Sequence, residues 1–516
     1  MLVKIFEYLH SAGKLYQPLF FCSFGWNSIS LYMLTFSAKN IKERFDRMPM
    51  ALLTLALIGG IMLAAYFTVH YGLWIILVVL STLVALWRRE AALAALFALG
   101  GALYQINALE LLPQNEPLRL VVQIDDRGID YGKFSTYDAD VHSCNGRRVR
   151  AKVRITADSL VHPRQGDIIE IVSSVRPFLP ADGGYAESMY RRGYSGRVSI
   201  SGYKIKSYAP AERQTLHSWA IRRLESLTPQ SSARDVAMSV TLGTRAITGS
   251  KLSQQYSVSG ASHLLAVSGL HVGLVFVLLH ILLLPLVFLW RGNIIRAVIA
   301  VVMIWLYVAL CGYPTSAVRA AIMFSVLQLS YLAKSRHLPE NSLFLTAFIM
   351  LAVNPYMLFE LSFNLSFVAV AAILFVARPI INMIHYRGFG KGVVDGVVIS
   401  TACVVATMPL ISHCFGVVSL LSIVVTPLAL LTSQIMIVCN LAALFLPYPA
   451  AKVVAQSATW CGDVQNRVVE LFARFGVGYA ELQIDSLTLM LSYVVLVLLV
   501  LLSFGFRWSS AGRGDR

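Results

Sequence analysis

The chain has 516 residues, 57% of them hydrophobic and only 14% charged, with a mean hydropathy of +0.66. Soluble proteins sit nearer about 45–50% apolar and about 25% charged. A water-soluble fold cannot bury so much apolar surface, which excludes the soluble-enzyme classes and leaves an integral membrane protein. The 43 Lys+Arg against 27 Asp+Glu give a net charge of +16, which cytoplasmic anchoring of spans explains without any appeal to nucleic acid. Seven cysteines are scattered with no CxxC pair and no zinc-ligand spacing, so neither a disulfide framework, a metal site nor a cofactor is expected.

Residues 1–49 mix Lys4, Lys14, Lys39, Lys42, Arg44 and Arg47 with Glu7, Glu43 and Asp46, and read as a cytoplasmic or interfacial segment. They lack the compact apolar core and small-residue cleavage site of a signal peptide, and Met48 and Met50 offer alternative starts. Within 50–111, three apolar segments (Ala51–Tyr66, Gly72–Trp87 and Ala91–Ile106) approach the ~20 residues that cross a bilayer. Arg88 and Arg89 then place the N-terminus and the second turn in the cytoplasm, and the chain leaves the third span on the outside.

From 112 to 210 the pattern becomes polar with a period of two. Arg119–Ile124, Phe134–Val141, Arg147–Ile155, Asp167–Val172 and Arg197–Lys206 read as five strands, separated by turns such as Cys144-Asn145-Gly146. An external antiparallel barrel of about 95 residues fits, of which the OB-fold is the commonest kind. Residues 211–256 read as amphipathic linker helices over Ala211–Leu227 and Arg234–Gln254, near the membrane surface. The expected core of the membrane domain is 257–446. Its spans are Leu264–Trp290, Ile294–Cys311, Ala317–Ala333, Leu343–Leu358, Phe363–Ala377 and Val393–Ile411, followed by Val417–Leu446. The last is too long for one crossing and is interrupted by Pro427, so two short spans or a re-entrant pair are expected. Residues 447–485 read as an external amphipathic segment, and 486–516 as the last span with a basic cytoplasmic tail. The basic turns Arg291–Arg296, Lys334–His337 and Arg378–Lys391 all fall on the cytoplasmic side of this arrangement. The fold class is thus a polytopic α-helical membrane protein with an inserted small all-β, OB-like barrel domain.

Polar residues are expensive inside a membrane, so their clusters mark candidate sites. The densest runs from Ser257 to Gly273 and holds His263, Ser268, Gly269 and His271. In a regular helix His263, Val267 and His271 would share one face. Three readings fit: histidines hydrogen-bonded between packed helices, an intramembrane serine hydrolase built on Ser268, and the polar lining of a pathway. In a second cluster, Gly312 and Pro314 break the chain before Arg319, whose charge faces a cavity or partner or snorkels to the interface. A third holds Asn354, Glu360, Ser362 and Asn364, with Glu360 placed to pair with Arg319. In the β domain, Arg148, Arg150, Lys152 and Arg154 alternate with apolar residues and form a basic stripe about 20 Å long on one face. With Tyr131, Phe134 and Tyr137 as stacking rings it would suit single-stranded nucleic acid; a solvated face is the plainer reading.

At these residues the sequence resembles the ComEC-type competence proteins. The resemblance rests on HLLAVSGLHVG (His263–Gly273), the Gly-Tyr-Pro-Thr-Ser-Ala-Val-Arg run ending at Arg319, Asn354-Pro355, and Leu361-Ser362-Phe363-Asn364-Leu365-Ser366-Phe367. Asp182 to Arg192 resembles the exit from that family's OB domain. Two departures are Ser362, where the family commonly has Gly, and Ser422, where Asn is usual. The resemblance implies an inner-membrane channel passing single-stranded DNA to the cytoplasm, both termini inside and the β domain outside. It implies an external DNA receptor, a cytoplasmic ATP-driven helicase or DNA-binding proteins, and a homo-oligomer as further partners. The sequence holds no HxHxDH run of the family's metallo-β-lactamase-like domain and no Walker motif, so a separate nuclease and an outside energy source are expected. Alternatives are a transporter of small molecules or envelope polymers, and an intramembrane hydrolase.

Overall fold

The computed structural model describes residues 32–36, 48–67, 70–88, 91–107, 112–113, 116–124, 129–130, 134–158, 163, 166–179, 184–200, 205–209, 215–244, 251–332, 339–384, 391–419, 421–475, 479–482 and 484–510. Most of the N-terminal segment, Tyr131, the Lys334–His337 turn and the end of the tail lie outside the described residues.

After strand β1 (Tyr32–Phe36), three helices α1 (Pro49–Tyr66), α2 (Tyr71–Trp87) and α3 (Ala91–Ile106) form a sub-bundle. Small residues set the closeness of α1 and α3: a Cβ at Gly60 would collide with the Phe97 carbonyl, and one at Gly100 with the Leu57 carbonyl. The outward face of α2 is an unbroken apolar surface including Leu73, Ile76, Leu80 and Leu83, suited to lipid.

The β domain follows as β2 (Pro117–Ile124), β3 (Ile129–Asp130), β4 (Phe134–Cys144), β5 (Arg147–Asp158), β6 (Ile168–Pro177), helix α4 (Gly184–Arg191), β7 (Tyr194–Ile200) and β8 (Ile205–Ala209). The pairing β2-β4-β5-β7-β6 returns to β2 and closes a five-stranded barrel, with β3 and β8 added on β4 and β6. Alternation builds it: Leu118, Leu120, Val122 and Ile124 point inward with Val153, Ile155, Ile169 and Ile171. Two details differ from the sequence expectation. The last expected strand is two, β7 and β8, and β5 pairs with β7 in parallel, so the barrel is not wholly antiparallel.

Helices α5 (Leu216–Leu227), α6 (Ser232–Leu242) and α7 (Lys251–Val258) lead to the second helical region. The expected Arg234–Gln254 helix is two elements, because Gly243 ends α6 with a φ of 75°. Next come α8 (Gly269–Leu282), α9 (Gly292–Leu310), α10 (Thr315–Leu332), α11 (Pro339–Val353) and α12 (Leu361–Ala372), which runs through a π-turn into α13 (Arg378–Met383). They are followed by α14 (Lys391–Phe415), β9 (Val417–Ser419), α15 (Ser422–Phe445), α16 (Tyr448–Phe475), β10 (Tyr479–Glu481), α17 (Ser486–Gly505) and β11 (Phe506–Ser510). Among the described residues, five helical segments are long and apolar enough to cross a membrane: Pro49–Tyr66, Gly292–Leu310, Leu361–Met383, Val394–Cys414 and Ser422–Phe445. Shorter apolar helices accompany them.

Two expected elements are rebuilt. Leu264–Trp290 is not one span: a 3-10 turn (Ser262–Leu265), a break at Ala266–Ser268, α8 and a second 3-10 turn (Leu284–Phe288) started by Pro285 replace it. The Val417–Leu446 segment is neither two spans nor a re-entrant pair but a short strand and one helix, α15, containing Pro427.

The ends of the body are distinct. At one end, His217 of α5 meets the Leu310 carbonyl of α9, the Thr315 and Ser362 hydroxyls meet, and Ser412 and His413 of α14 bond to carbonyls just before α17. The barrel docks here too, with Arg191 of α4 over the Tyr66 ring at 3.7 Å. Helix α15 starts at this end beside α14 and finishes at it, where the Leu446 carbonyl accepts from Arg223 of α5. Despite its apolar length it therefore lies across the bundle end, with α16 antiparallel upon it. The other end carries Arg88, Arg291, Arg378 and Lys391, and there β1 pairs with β11.

Candidate functional site

Sequence Ser268-Gly269-Leu270-His271 starts α8 with a reciprocal cap. The His271 backbone N–H donates to Ser268 Oγ at 3.3 Å, and the Ser268 backbone N–H donates to His271 Nδ1 at 3.3 Å. That second bond fixes the tautomer: with Nδ1 accepting, the ring proton sits on Nε2. His271 is 0% exposed, and its Nε2 has no hydrogen-bond partner. A buried donor without an acceptor costs about 1–3 kcal/mol. His263, in the 3-10 turn, bonds to the Gly260 carbonyl at 3.1 Å. His263 is exposed. The break at Ala266–Ser268 means that the two histidines are not on one face of a continuous helix; they approach from separate elements. Nor do Ser268 and His271 form a nucleophile–base pair, because the serine oxygen meets the histidine backbone rather than its ring.

Gly269 and Gly273 serve helix contact. A Cβ at Gly269 would meet the Ala320 Cβ at 3.7 Å, and one at Gly273 the Phe324 ring at 3.3 Å. Phe276 stacks on Phe324 with ring centroids 4.4 Å apart. This packed α8–α10 seam separates the histidines from a second polar group around Arg319.

Arg319 is 2% exposed, so it does not snorkel. Its guanidinium donates to the Ser362 carbonyl at 3.4 Å and lies over the Phe367 ring at 5.4 Å. The expected pair with Glu360 does not form; Glu360 occupies the N-cap of α12, and Arg319 turns to the helix interior beyond it. Ser362 Oγ lies 3.1 Å from Thr315 Oγ1, Asn364 donates to the Leu358 carbonyl at 2.9 Å, and Asn354 caps the Pro355–Phe359 turn through the Tyr356 N–H.

In the barrel the stripe is only partly free. Arg148 and Arg150 are exposed, but Arg154 donates to Asp138 at 3.0 Å, and Lys152 lies 5.5 Å from the Tyr194 ring centroid. Burial first, and then the Asp138 carboxylate, push the Tyr194 hydroxyl well above its ordinary pKa. Phe134 is exposed, whereas Tyr137 is 5% exposed and belongs to the barrel core, which removes it as a stacking ring.

Two buried polar networks were not among the sequence candidates. Asn440 of α15 donates to Thr241 Oγ1 at 3.0 Å, while Tyr307 and Cys311 donate to the Thr241 carbonyl. Gln465 of α16, 0% exposed, accepts from Thr432 at 2.8 Å and Ser433 at 3.1 Å, and donates to the Tyr256 hydroxyl at 3.2 Å. An Asn within an apolar span was the available signal for the first; Gln465 sits in an amphipathic stretch and carried none. Among the described residues no three His, Cys, Asp or Glu side chains are grouped to hold a metal.

These features define a polytopic helical membrane protein with a small closed barrel inserted ahead of its main helical region. The Competence protein family matches residues 240–507, more than half of the chain, and the chain belongs to that family. It is 29% identical over 214 residues to ComE operon protein 3 of Bacillus subtilis (strain 168), covering 40% of this chain and 26% of that protein. It is 27% identical over 284 residues to an uncharacterized protein of Aquifex aeolicus (strain VF5), covering 54% of this chain and 64% of that one. The chain thus matches about a quarter and less than two thirds of these relatives' lengths. No solved structure matches it.

Proposed function

We propose that the protein is a DNA-internalisation channel of natural competence, passing single-stranded DNA across the cytoplasmic membrane. Membership of the Competence protein family supports a role in DNA uptake. The observation that carries the channel reading is the buried Nε2–H of His271, which has no hydrogen-bond partner among the described residues, at the start of a helix that follows the exposed His263. Such a donor needs an acceptor, which water or a passing strand supplies, and hydrogen-bonding groups keep a constriction wet.

In this reading the end carrying Arg88, Arg291, Arg378 and Lys391 is cytoplasmic by the positive-inside rule, and the barrel is external. Both termini are cytoplasmic, in keeping with the β1–β11 pairing. Residues 112–210 capture the strand electrostatically through Arg148 and Arg150, and 257–446 provide the passage. Weak contacts at several places let DNA leave as readily as it enters. The strand, an external receptor, a separate nuclease, a cytoplasmic helicase and the lipid bilayer are the partners. The proposed pathway residues are His263, Ser268, Gly269, His271, Arg319, Asn354, Glu360, Ser362 and Asn364.

A photo-crosslinking side chain in place of His263, activated during uptake of labelled DNA, tests this. Adducts should form there and not at Val277, which is 54% exposed on the outer face of α8. Equal labelling at both positions, or none at His263, refutes the pathway.

A further inference from the structure

We infer that the starts of α10 and α12 form a phosphodiester-binding station with Arg319 at its base. The inference rests on the proposed passage of DNA and assigns the chemistry of one step within it.

Among the described residues no carboxylate forms an ion pair with Arg319. Its guanidinium has five N–H donors, and its contacts are one long bond to a carbonyl and the face of Phe367. Between residues 251 and 446 the sequence holds three acids, Glu340, Glu360 and Asp395. Glu340 and Asp395 lie at the starts of α11 and α14, at the basic end of the body. Glu360, at the same end as Arg319, does not pair with it. A cation so deeply buried in an apolar surround is costly without an anion.

The surroundings complete an anion site. Helices α10 and α12 both begin here, at Thr315 and Leu361, and their N-terminal dipoles favour negative charge. The N-cap of α12, Glu360, makes no side-chain bond to the first turn of the helix. The Thr315 and Ser362 hydroxyls bond to each other, which uses one of their two protons and leaves the other to donate. A planar fork, two hydroxyls and two helix starts suit a tetrahedral phosphodiester better than a compact halide. The station lies at the end of the body where the barrel docks, next in line for a strand released by it.

The test uses the purified full-length chain in nanodiscs and a labelled oligothymidylate. Wild type, Arg319→Gln and Arg319→Lys are compared for affinity across a salt series. Arg319→Gln should bind about tenfold more weakly, and its salt dependence should fall by about 0.7 in slope, as for one lost single-strand phosphate contact. Arg319→Lys, which keeps the charge without the fork, should keep the slope and lose part of the affinity. Nanodiscs with and without anionic lipid separate strand phosphate from lipid phosphate. An Arg319-dependent stabilisation that follows anionic lipid and not the oligonucleotide overturns the assignment, as does unchanged affinity and slope in Arg319→Gln. Monodispersity in size-exclusion chromatography confirms that the variants are folded. If Arg319→Gln binds normally while cells lacking the protein cannot take up DNA, only the station is lost; normal uptake by those cells removes the channel reading instead.

Discussion

Replacing His271 with Leu separates a dry packing role from a wet pathway, and the energetics set the expected signs. The substitution removes a buried Nε2–H donor that has no partner. If its surroundings are dry, its removal relieves about 1–3 kcal/mol. The same change deprives the Ser268 backbone N–H of its acceptor, a loss of about 0.5–1.5 kcal/mol. In a dry packed site Leu therefore ranges from about 0.5 kcal/mol destabilising to about 2.5 kcal/mol stabilising, and uptake is untouched. In a wetted pathway the donor is already satisfied by water or the strand. Leu then gains nothing from its removal, leaves the cap bond broken, and dewets the constriction. The expected result is a change in thermal stability within about 1 kcal/mol, normal membrane abundance and abolished DNA uptake. Uptake of labelled DNA, abundance by immunoblot and unfolding temperature in detergent should be measured on the same variant, with His263→Leu and Ser268→Ala alongside. A raised unfolding temperature with normal uptake refutes the reasoning, and Ser268→Ala matching the histidine changes in full would point to serine chemistry.

Other outcomes follow from the same contacts. Replacing exposed Arg148 and Arg150 with Ser should lower the salt slope of single-strand binding by about 0.7 per lost phosphate contact, and an unchanged slope would make them a solvated face. Arg154→Ala should act on stability, by about 1–3 kcal/mol in barrel unfolding, because it leaves Asp138 without its guanidinium; loss of binding at unchanged stability would contradict this. For orientation, a cysteine introduced at Arg148 should react with an impermeant maleimide in intact spheroplasts. Native Cys144 should resist, since it is buried in the barrel and burial raises its thiol pKa; labelling of the introduced cysteine only after permeabilisation reverses the topology. Gln465→Leu should lower the unfolding temperature by a few degrees, as it leaves the buried Ser433 hydroxyl without its acceptor while Thr432 keeps the Ala429 carbonyl and Tyr256 keeps Asn466; an unchanged temperature would show that water replaces the amide.

Much of the fold was legible because its periods are strong. Strand alternation located the barrel strands β2, β4, β5 and β6 but not the two-residue β3, and apolar runs located most of the apolar helices. The same alternation already placed Tyr137 inside, since it shares parity with Ala139 and Val141 in β4; the basic stripe on the neighbouring strand drew attention from it. Apolar runs do not reveal direction. Leu264–Trp290 is almost wholly apolar in its second half, so the stop at Pro285 did not show in hydropathy, and the break at Ala266–Ser268 fell inside a polar run read as continuous helix. The apolar face of α15 reads as a span whether the helix crosses the bundle or lies over its end. The polar motifs themselves stood out, but their division into a histidine group and an Arg319 group depends on the α8–α10 seam, built from Gly269, Gly273, Ala320 and Phe324 across distant sequence. The absence of a carboxylate on Arg319 is likewise a matter of side-chain direction, which spacing does not encode.

The central claim is that this chain carries a single strand inward. The most direct measurement gives strand-labelled duplex DNA to cells lacking the chromosomal copy, complemented with wild type, His271→Leu or no gene. Nuclease-protected cytoplasmic label is then resolved by strand. The account predicts protected label from one strand only, in wild-type cells alone, with surface-bound duplex persisting in the other two. Protected DNA at wild-type levels in cells with no copy of the gene would contradict it.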